Sequence, residues 1–185
     1  MRIISGSLGG RRISAPSGSR VRPTSDRVRE AIFNILGPPP PGARILDAFA
    51  GAGTLGLEAL SRGADHVVFV DSSRGSVRCV RENLKALGVA ERARVHCADT
   101  PALLQRWRRQ PLEPGFRWVF LDPPYRGDLA ERALGELADG ALLEGDATVI
   151  VEHDRRNPPT ERHGSLVRTD VRRYGDTRVS FYRRE

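Results

Sequence analysis

Between residues 44 and 152, short apolar runs alternate with segments of helical periodicity, and that alternation limits the fold more than any other feature. Arg44–Ala48, His66–Val70, Arg94–Ala98, Trp118–Leu121 and Thr148–Glu152 have the length and β-branched or aromatic content of strands. Leu55–Ser61, Ser76–Leu87, Ala102–Trp107 and Leu129–Leu137 read as the helices between them; Val77, Val80, Leu84 and Leu87 line one side of the second. Short strands separated by helices predict an α/β fold with a mostly parallel sheet, right-handed crossovers and helices on both faces. The tail departs from this pattern. Leu166–Tyr174 and Thr177–Arg183 alternate apolar and polar residues around Gly175-Asp176, which predicts an antiparallel C-terminal hairpin closing the sheet. At the other end, Arg2–Leu8 and Arg11–Ala15 read as two short strands joined by Gly9-Gly10. Ser25 or Asp26 then caps a helix through Leu36, with Val28, Ile32, Ile35 and Leu36 as its apolar stripe. The run from Gly37 to Gly42 contains four consecutive prolines and can be neither helix nor central strand. The expected organisation is a small N-terminal hairpin and helix arm (1–36), a Pro/Gly linker (37–42) and the α/β domain (43–185).

A chain of 185 residues can bury a sizeable core. It has no apolar run of membrane-spanning length, and its first residues lack the apolar stretch of a signal peptide, so a cytoplasmic protein is expected. Cys79 and Cys97 fall in a predicted helix and a predicted strand and read as reduced core residues. His66, His96, His153 and His163 show no ligand spacing with these cysteines, so no metal is expected. The net charge of +7 is unevenly spread. Residues 1–36 carry seven arginines against Asp26 and Glu30, and residues 155–185 carry nine against four acids. The stretch between them carries fourteen basic residues against seventeen acids. Basic ends around a mildly acidic centre suit a polyphosphate partner, with Arg2, Arg11, Arg12, Arg22 and Arg27 as the candidate RNA contacts. Part of this arginine content is only compositional, since Lys85 is the single lysine.

Directly after the first strand of the domain comes Asp47-Ala48-Phe49-Ala50-Gly51-Ala52-Gly53-Thr54-Leu55-Gly56, a glycine-rich strand-to-helix turn. Such a turn lets a backbone approach a nucleotide at a helix N-terminus. Asp71 and Asp99 end the next two strands, where a carboxylate can meet ribose hydroxyls and an adenine amine; either acid could instead cap a helix. The candidate cofactor residues are Asp47, Phe49, Ala50, Gly51, Gly53, Asp71, Ser72, Asp99 and Thr100. An acid at Asp47 would repel the pyrophosphate of a dinucleotide, but suits S-adenosylmethionine, which carries a sulfonium, an ammonium group and no phosphates. A fourth strand end carries Asp122-Pro123-Pro124-Tyr125, the candidate catalytic residues. Ligands of open α/β sheets bind at that edge. An acid, two prolines and an aromatic ring there form a rigid corner suited to an exocyclic amine on a flat base. Glu152-His153-Asp154 reads as strand-end polarity, and Trp107 and Trp118 read as core.

In these residues the chain resembles the bacterial small-subunit ribosomal RNA guanine-N2 methyltransferases of the RsmD type. The matching pieces are Arg2–Gly6, Arg22–Asn34, Asp47–Ala64, Asp122–Tyr125 and Arg173–Thr177. The resemblance implies a class I, Rossmann-like methyltransferase fold with a seven-stranded sheet. It also implies transfer of a methyl group from S-adenosylmethionine to one guanine amine of 16S ribosomal RNA, in a partly assembled small subunit. Its cofactor residues fall on Asp47, Gly51, Gly53, Asp71 and Asp99; many relatives have glutamate where this chain has Asp71. DNA adenine-N6 methyltransferases share the Asp-Pro-Pro-Tyr motif, so adenine N6 in DNA or another RNA stays open on the residues alone. A DNA enzyme of that class usually carries a sizeable target-recognition domain, and none fits here. A protein that only binds adenosylmethionine or nucleic acid, and lastly a dinucleotide oxidoreductase, are the other classes. Residues 154–164 match no pattern.

Overall fold

The computed structural model describes residues 1–16, 25–110, 114–124 and 127–185. They form two compact units, Met1–Ala98 and Asp99–Glu185. In the first, β1 (Arg44–Asp47), β2 (His66–Asp71) and β3 (Ala93–Cys97) pair in parallel in the order β3-β2-β1. In the second, β4 (Phe116–Leu121) pairs in parallel with β5 (Leu143–Asp154). Antiparallel β8 (Thr177–Arg184), β7 (Leu166–Tyr174) and the two-residue β6 (Arg162–His163) follow in that order. The parallel strands and the closing hairpin match the expected α/β class, and β6 is one short strand beyond the seven expected. Among the described residues, five helices accompany the strands: α1 (Asp26–Leu36), α2 (Thr54–Ser61), α3 (Arg74–Leu87), α4 (Thr100–Arg109) and α5 (Leu129–Leu137). None of them is long and apolar enough to cross a membrane.

Most boundaries fall within two residues of the expected ones. The largest difference is β5, which begins at Leu143 rather than Thr148. Glu144-Gly145-Asp146 looks like a turn in one dimension, but the strand carries it through a register irregularity opposite Phe116–Trp118. The N-terminal hairpin is also looser than expected. Its pairing is limited to the Arg2–Arg12 bridge, where the Ile3 N–H donates to the Arg11 carbonyl at 3.0 Å and the Ile13 N–H to the Met1 carbonyl at 3.1 Å, and the chain turns from Ser5 rather than at Gly9. The cause is α2. Its Glu58 carboxylate accepts the Ile4 and Ser5 N–H groups at 2.8 and 3.0 Å, and Ser61 takes the Ser7 and Leu8 N–H groups. Beyond the bridge, the N–H groups of Ser5, Ser7 and Leu8 therefore go to a helix and not to a partner strand. Gly6 sits there at φ +83°, and a Cβ on it would lie 2.0 Å from the Ser61 carbonyl oxygen, so only glycine fits.

The arm is held to the same unit at a second point. Asn83 of α3 accepts the Ser14 N–H at 2.8 Å and donates its amide to the carbonyls of Ser14 and Ala52, each at 3.1 Å. Packing is tight where α2 crosses β2: a Cβ on Gly56 would lie 2.3 Å from the Phe69 ring. Two core expectations need correction. Ile35 is 42% exposed, and Arg29, fully buried, takes a place on the inward face of α1. Cys79 is buried as expected, but Cys97 is exposed at the end of β3; both are free thiols. Trp107 and Trp118 are core residues.

Candidate active site

The glycine loop between β1 and α2 is organised by two acids. Gly51 and Gly53 take φ +54° and +79°, a region that side chains resist, and Gly53 is the N-cap of α2. The Ala50 N–H donates to the Val70 carbonyl at 3.0 Å, and the Gly51 N–H donates to Asp71 Oδ2 at 2.8 Å. The other Asp71 oxygen accepts the Ser73 N–H at 2.8 Å. Asp71 thus fastens the loop to the end of β2 while keeping lone pairs for a ligand. Asp47, 2% exposed, accepts the Gly56 N–H at 2.9 Å through Oδ2. Burial pushes its pKa up to about 7; the Gly56 bond works against this shift and the Asp71 charge adds to it. A buried carboxylate held near neutrality in this way would be stabilised in its charged form by a cationic ligand. Beside Gly51, a Cβ would meet nothing within 4 Å, so the loop leaves open space there. Phe49 is half-buried, Ala50 and Gly53 are buried, and Ser72 is exposed. These residues fit a positively charged nucleoside such as adenosylmethionine.

In the second unit, Asp99 is exposed and caps α4, accepting the Ala102 N–H at 3.0 Å, while Thr100 is buried. Asp99 therefore does serve as a helix cap, which occupies one of its lone pairs and not the others. Asp122 directly follows β4, whose last residue, Leu121, pairs with Val151 of β5. Asp122 is half-buried, Pro123 buried and Pro124 exposed. Tyr125 lies outside the described residues. Next to this corner, His153 is spent on the sheet: Nε2 meets Ser180 Oγ at 2.9 Å, and burial lowers its pKa. This agrees with reading Glu152-His153-Asp154 as strand-end polarity. Residues 154–164, which matched no pattern, are anchored within their own unit. Thr160 donates its N–H to Glu131 at 2.6 Å, and its carbonyl accepts the Tyr182 hydroxyl at 2.8 Å.

Of the candidate RNA contacts, Arg2, Arg11, Arg12 and Arg27 are exposed, and Arg22 lies outside the described residues. Arg11 already donates to the Ala86 carbonyl at 2.7 Å, near the end of α3. Sequence reasoning missed Arg29, Glu58 and Asn83, which tie the arm to the helices of its unit. A usable signal existed for two of them. Glu58 is a lone acid inside an otherwise apolar helix, and Arg29 precedes Ile32 and Phe33 at helical spacing. Among the described residues, no group of three or more His, Cys, Asp or Glu side chains could hold a metal ion.

A family model described as Conserved hypothetical protein 95 matches residues 1–183. Ribosomal RNA small subunit methyltransferase D of Escherichia coli K12 is 35% identical over 187 residues, covering 100% of this chain and 90% of that protein. The Haemophilus influenzae protein of the same name is 37% identical over 159 residues, covering 85% of this chain and 81% of its own. Among solved structures, the Escherichia coli chain yhhF superposes with a TM-score of 0.83 at 33% identity, covering 100% of this chain and 98% of its own.

Proposed function

Since the chain belongs to the Conserved hypothetical protein 95 family, the RsmD-type family, we propose that it is an rRNA methyltransferase acting on a guanine N2 amine of 16S ribosomal RNA. The observation that carries this reading is, in a chain of that family, the sequence Asp122-Pro123-Pro124-Tyr125, whose first residue directly follows β4, a strand paired in parallel with β5. The methyl donor is S-adenosylmethionine, and Asp47, Phe49, Ala50, Gly51, Gly53, Asp71, Ser72, Asp99 and Thr100 are its candidate contacts. When bound, it supplies an electrophilic methyl group on a sulfonium. The arm of residues 1–36 binds RNA through Arg2, Arg11, Arg12, Arg22 and Arg27. The linker of 37–42 joins it to the catalytic domain of 43–185. The setting is cytoplasmic, on a partly assembled small subunit.

A guanine amine is a weak nucleophile because its lone pair is delocalised into the ring. The Asp122 carboxylate and the Pro123 carbonyl accept its two N–H hydrogens, which favours a pyramidal nitrogen with its lone pair directed at the incoming methyl group. Pro123 and Pro124 fix φ and so keep those acceptors aimed. Tyr125 stacks on the base. Positioning contributes several kcal/mol, and an acceptor facing developing positive charge adds an electrostatic contribution. Asp122 does not need to be a strong base, because the amine turns acidic once methylated. The base must leave its stack to reach this corner, which costs a few kcal/mol.

Asp122→Ala tests the reading. Transfer of labelled methyl to 16S RNA should fall by at least about a hundredfold, the scale of a lost transition-state acceptor, with adenosylmethionine affinity within about twofold. Near-normal turnover would remove Asp122 from the mechanism. Mapping the label to an adenine N6 would replace guanine as the target.

A further inference from the structure

We propose that the tip of the β7–β8 hairpin, through Arg173 and Arg178, forms a second contact for the RNA backbone next to the Asp122 segment. The inference rests on reading the chain as an rRNA methyltransferase, and it concerns residues that lie outside the basic arm.

The sheet register places these arginines. Leu121 pairs with Val151, Val151 with Ser180, and Ser180 with Val171. Two residues further towards the hairpin tip, His153 pairs with Arg178 and Arg178 with Arg173. Directly opposed residues share a face, so His153, Arg178 and Arg173 form one row across β5, β8 and β7. This row lies at the edge where β4 ends and Asp122 begins. At about 4.8 Å per strand, Arg173 lies roughly 14 Å across the sheet from the path of β4, a span that a few nucleotides of backbone cover.

The row is costly for the fold by itself. Like charges directly opposed across antiparallel strands destabilise the pair. Neither arginine makes an ion pair among the described residues. Arg173 is exposed. Arg178 donates to the Gly175 and Thr177 carbonyls at 2.6 and 3.0 Å, which aims its guanidinium without cancelling its charge. Asp176, the acid of the turn, is 3.7 Å from Arg155. Asp170 is 2.7 Å from Arg172, which lies on the opposite face of β7. Arg155 and Arg156 are exposed directly after β5, so the same edge gains further positive charge. A phosphate backbone turns this repulsion into attraction, and arginine forks suit phosphate oxygens.

The test uses the full chain carrying Arg173→Gln, Arg178→Gln, both together, or both as lysine. Binding to purified 16S RNA is followed across a salt series, alongside adenosylmethionine affinity, melting temperature and methyl transfer. The double glutamine variant should bind RNA about tenfold more weakly at about 0.1 M salt, with a log–log salt slope shallower by one to two. Its KM for RNA should rise with kcat and cofactor affinity unchanged and the melting temperature equal or slightly higher, since the opposed charges are removed, and the lysine pair should retain most of the binding. Unchanged RNA affinity and slope in the double glutamine variant would overturn the proposal. So would a loss that lysine does not rescue and that comes with a lower melting temperature, since Arg178 would then be only a brace for its turn. If the unaltered chain transfers no methyl to 16S RNA, the rRNA methyltransferase reading fails, while the binding comparison still decides the role of the hairpin.

Discussion

Asp47 shows how one buried carboxylate can link cofactor, pH and stability. Its pKa rises from the ordinary 3.8 to about 7, chiefly through burial, so the folded state binds its proton more tightly than the unfolded chain does. The stabilisation is therefore fully present below about pH 4 and is lost as pH rises through about 7 in the ligand-free protein. A cationic cofactor reverses the preference, so adenosylmethionine affinity should increase with pH through that window. Asp47→Asn should flatten the pH dependence of melting between about pH 4 and 7, leave the ligand-free protein at least as stable at pH 8, and weaken adenosylmethionine binding tenfold or more, on the order of one charge-assisted contact. Melting curves and titration calorimetry across pH check all three. The acid itself is visible in the sequence because it ends an apolar strand. Its altered protonation is not, since desolvation depends on residues brought around it from β2 and α2.

Among the elements, α2 carries two tasks. Its N-terminus follows the glycine loop, and one turn later Glu58 holds the arm. Glu58 is fully buried, meets two arm N–H groups, and lies 2.8 Å from Arg62 and 3.6 Å from buried Arg29. Removing one partner of a buried charge cluster leaves the others uncompensated. Glu58→Ala should cost about 3–5 kcal/mol in urea unfolding, whereas Glu58→Gln, which keeps an acceptor for the arm, should cost less. Helix α1 was legible almost to the residue because Ser25 accepts the Val28 N–H and caps it. The arm's hairpin was not. Its glycines and alternation suggested a longer two-stranded ladder, but the N–H groups of Ser5, Ser7 and Leu8 go to Glu58 and Ser61 of α2.

Across the whole molecule, net charge +7 is concentrated at the two ends of the sequence, and the fold spends part of it internally. Arg29 is buried, and Arg11 is bound to a helix carbonyl. A cofactor that binds only the folded chain at a hundred times its Kd adds about 2.7 kcal/mol. For a chain of this size, adenosylmethionine should therefore raise the melting temperature by about 5–10 °C, with no shift from NAD. A shift with NAD instead would favour the oxidoreductase class. By itself the sequence determined the order of β1–β5, β7, β8 and the five helices, the glycine loop with its acids, and the place of the Asp122-Pro123-Pro124 segment directly after β4. Each of these follows from local periodicity, turn chemistry or a short motif. Only the tertiary structure decided that Glu58 and Asn83 clamp the arm. Those contacts join residues 53 to 69 positions apart, whose pairing depends on how the helices pack against the arm rather than on any local pattern.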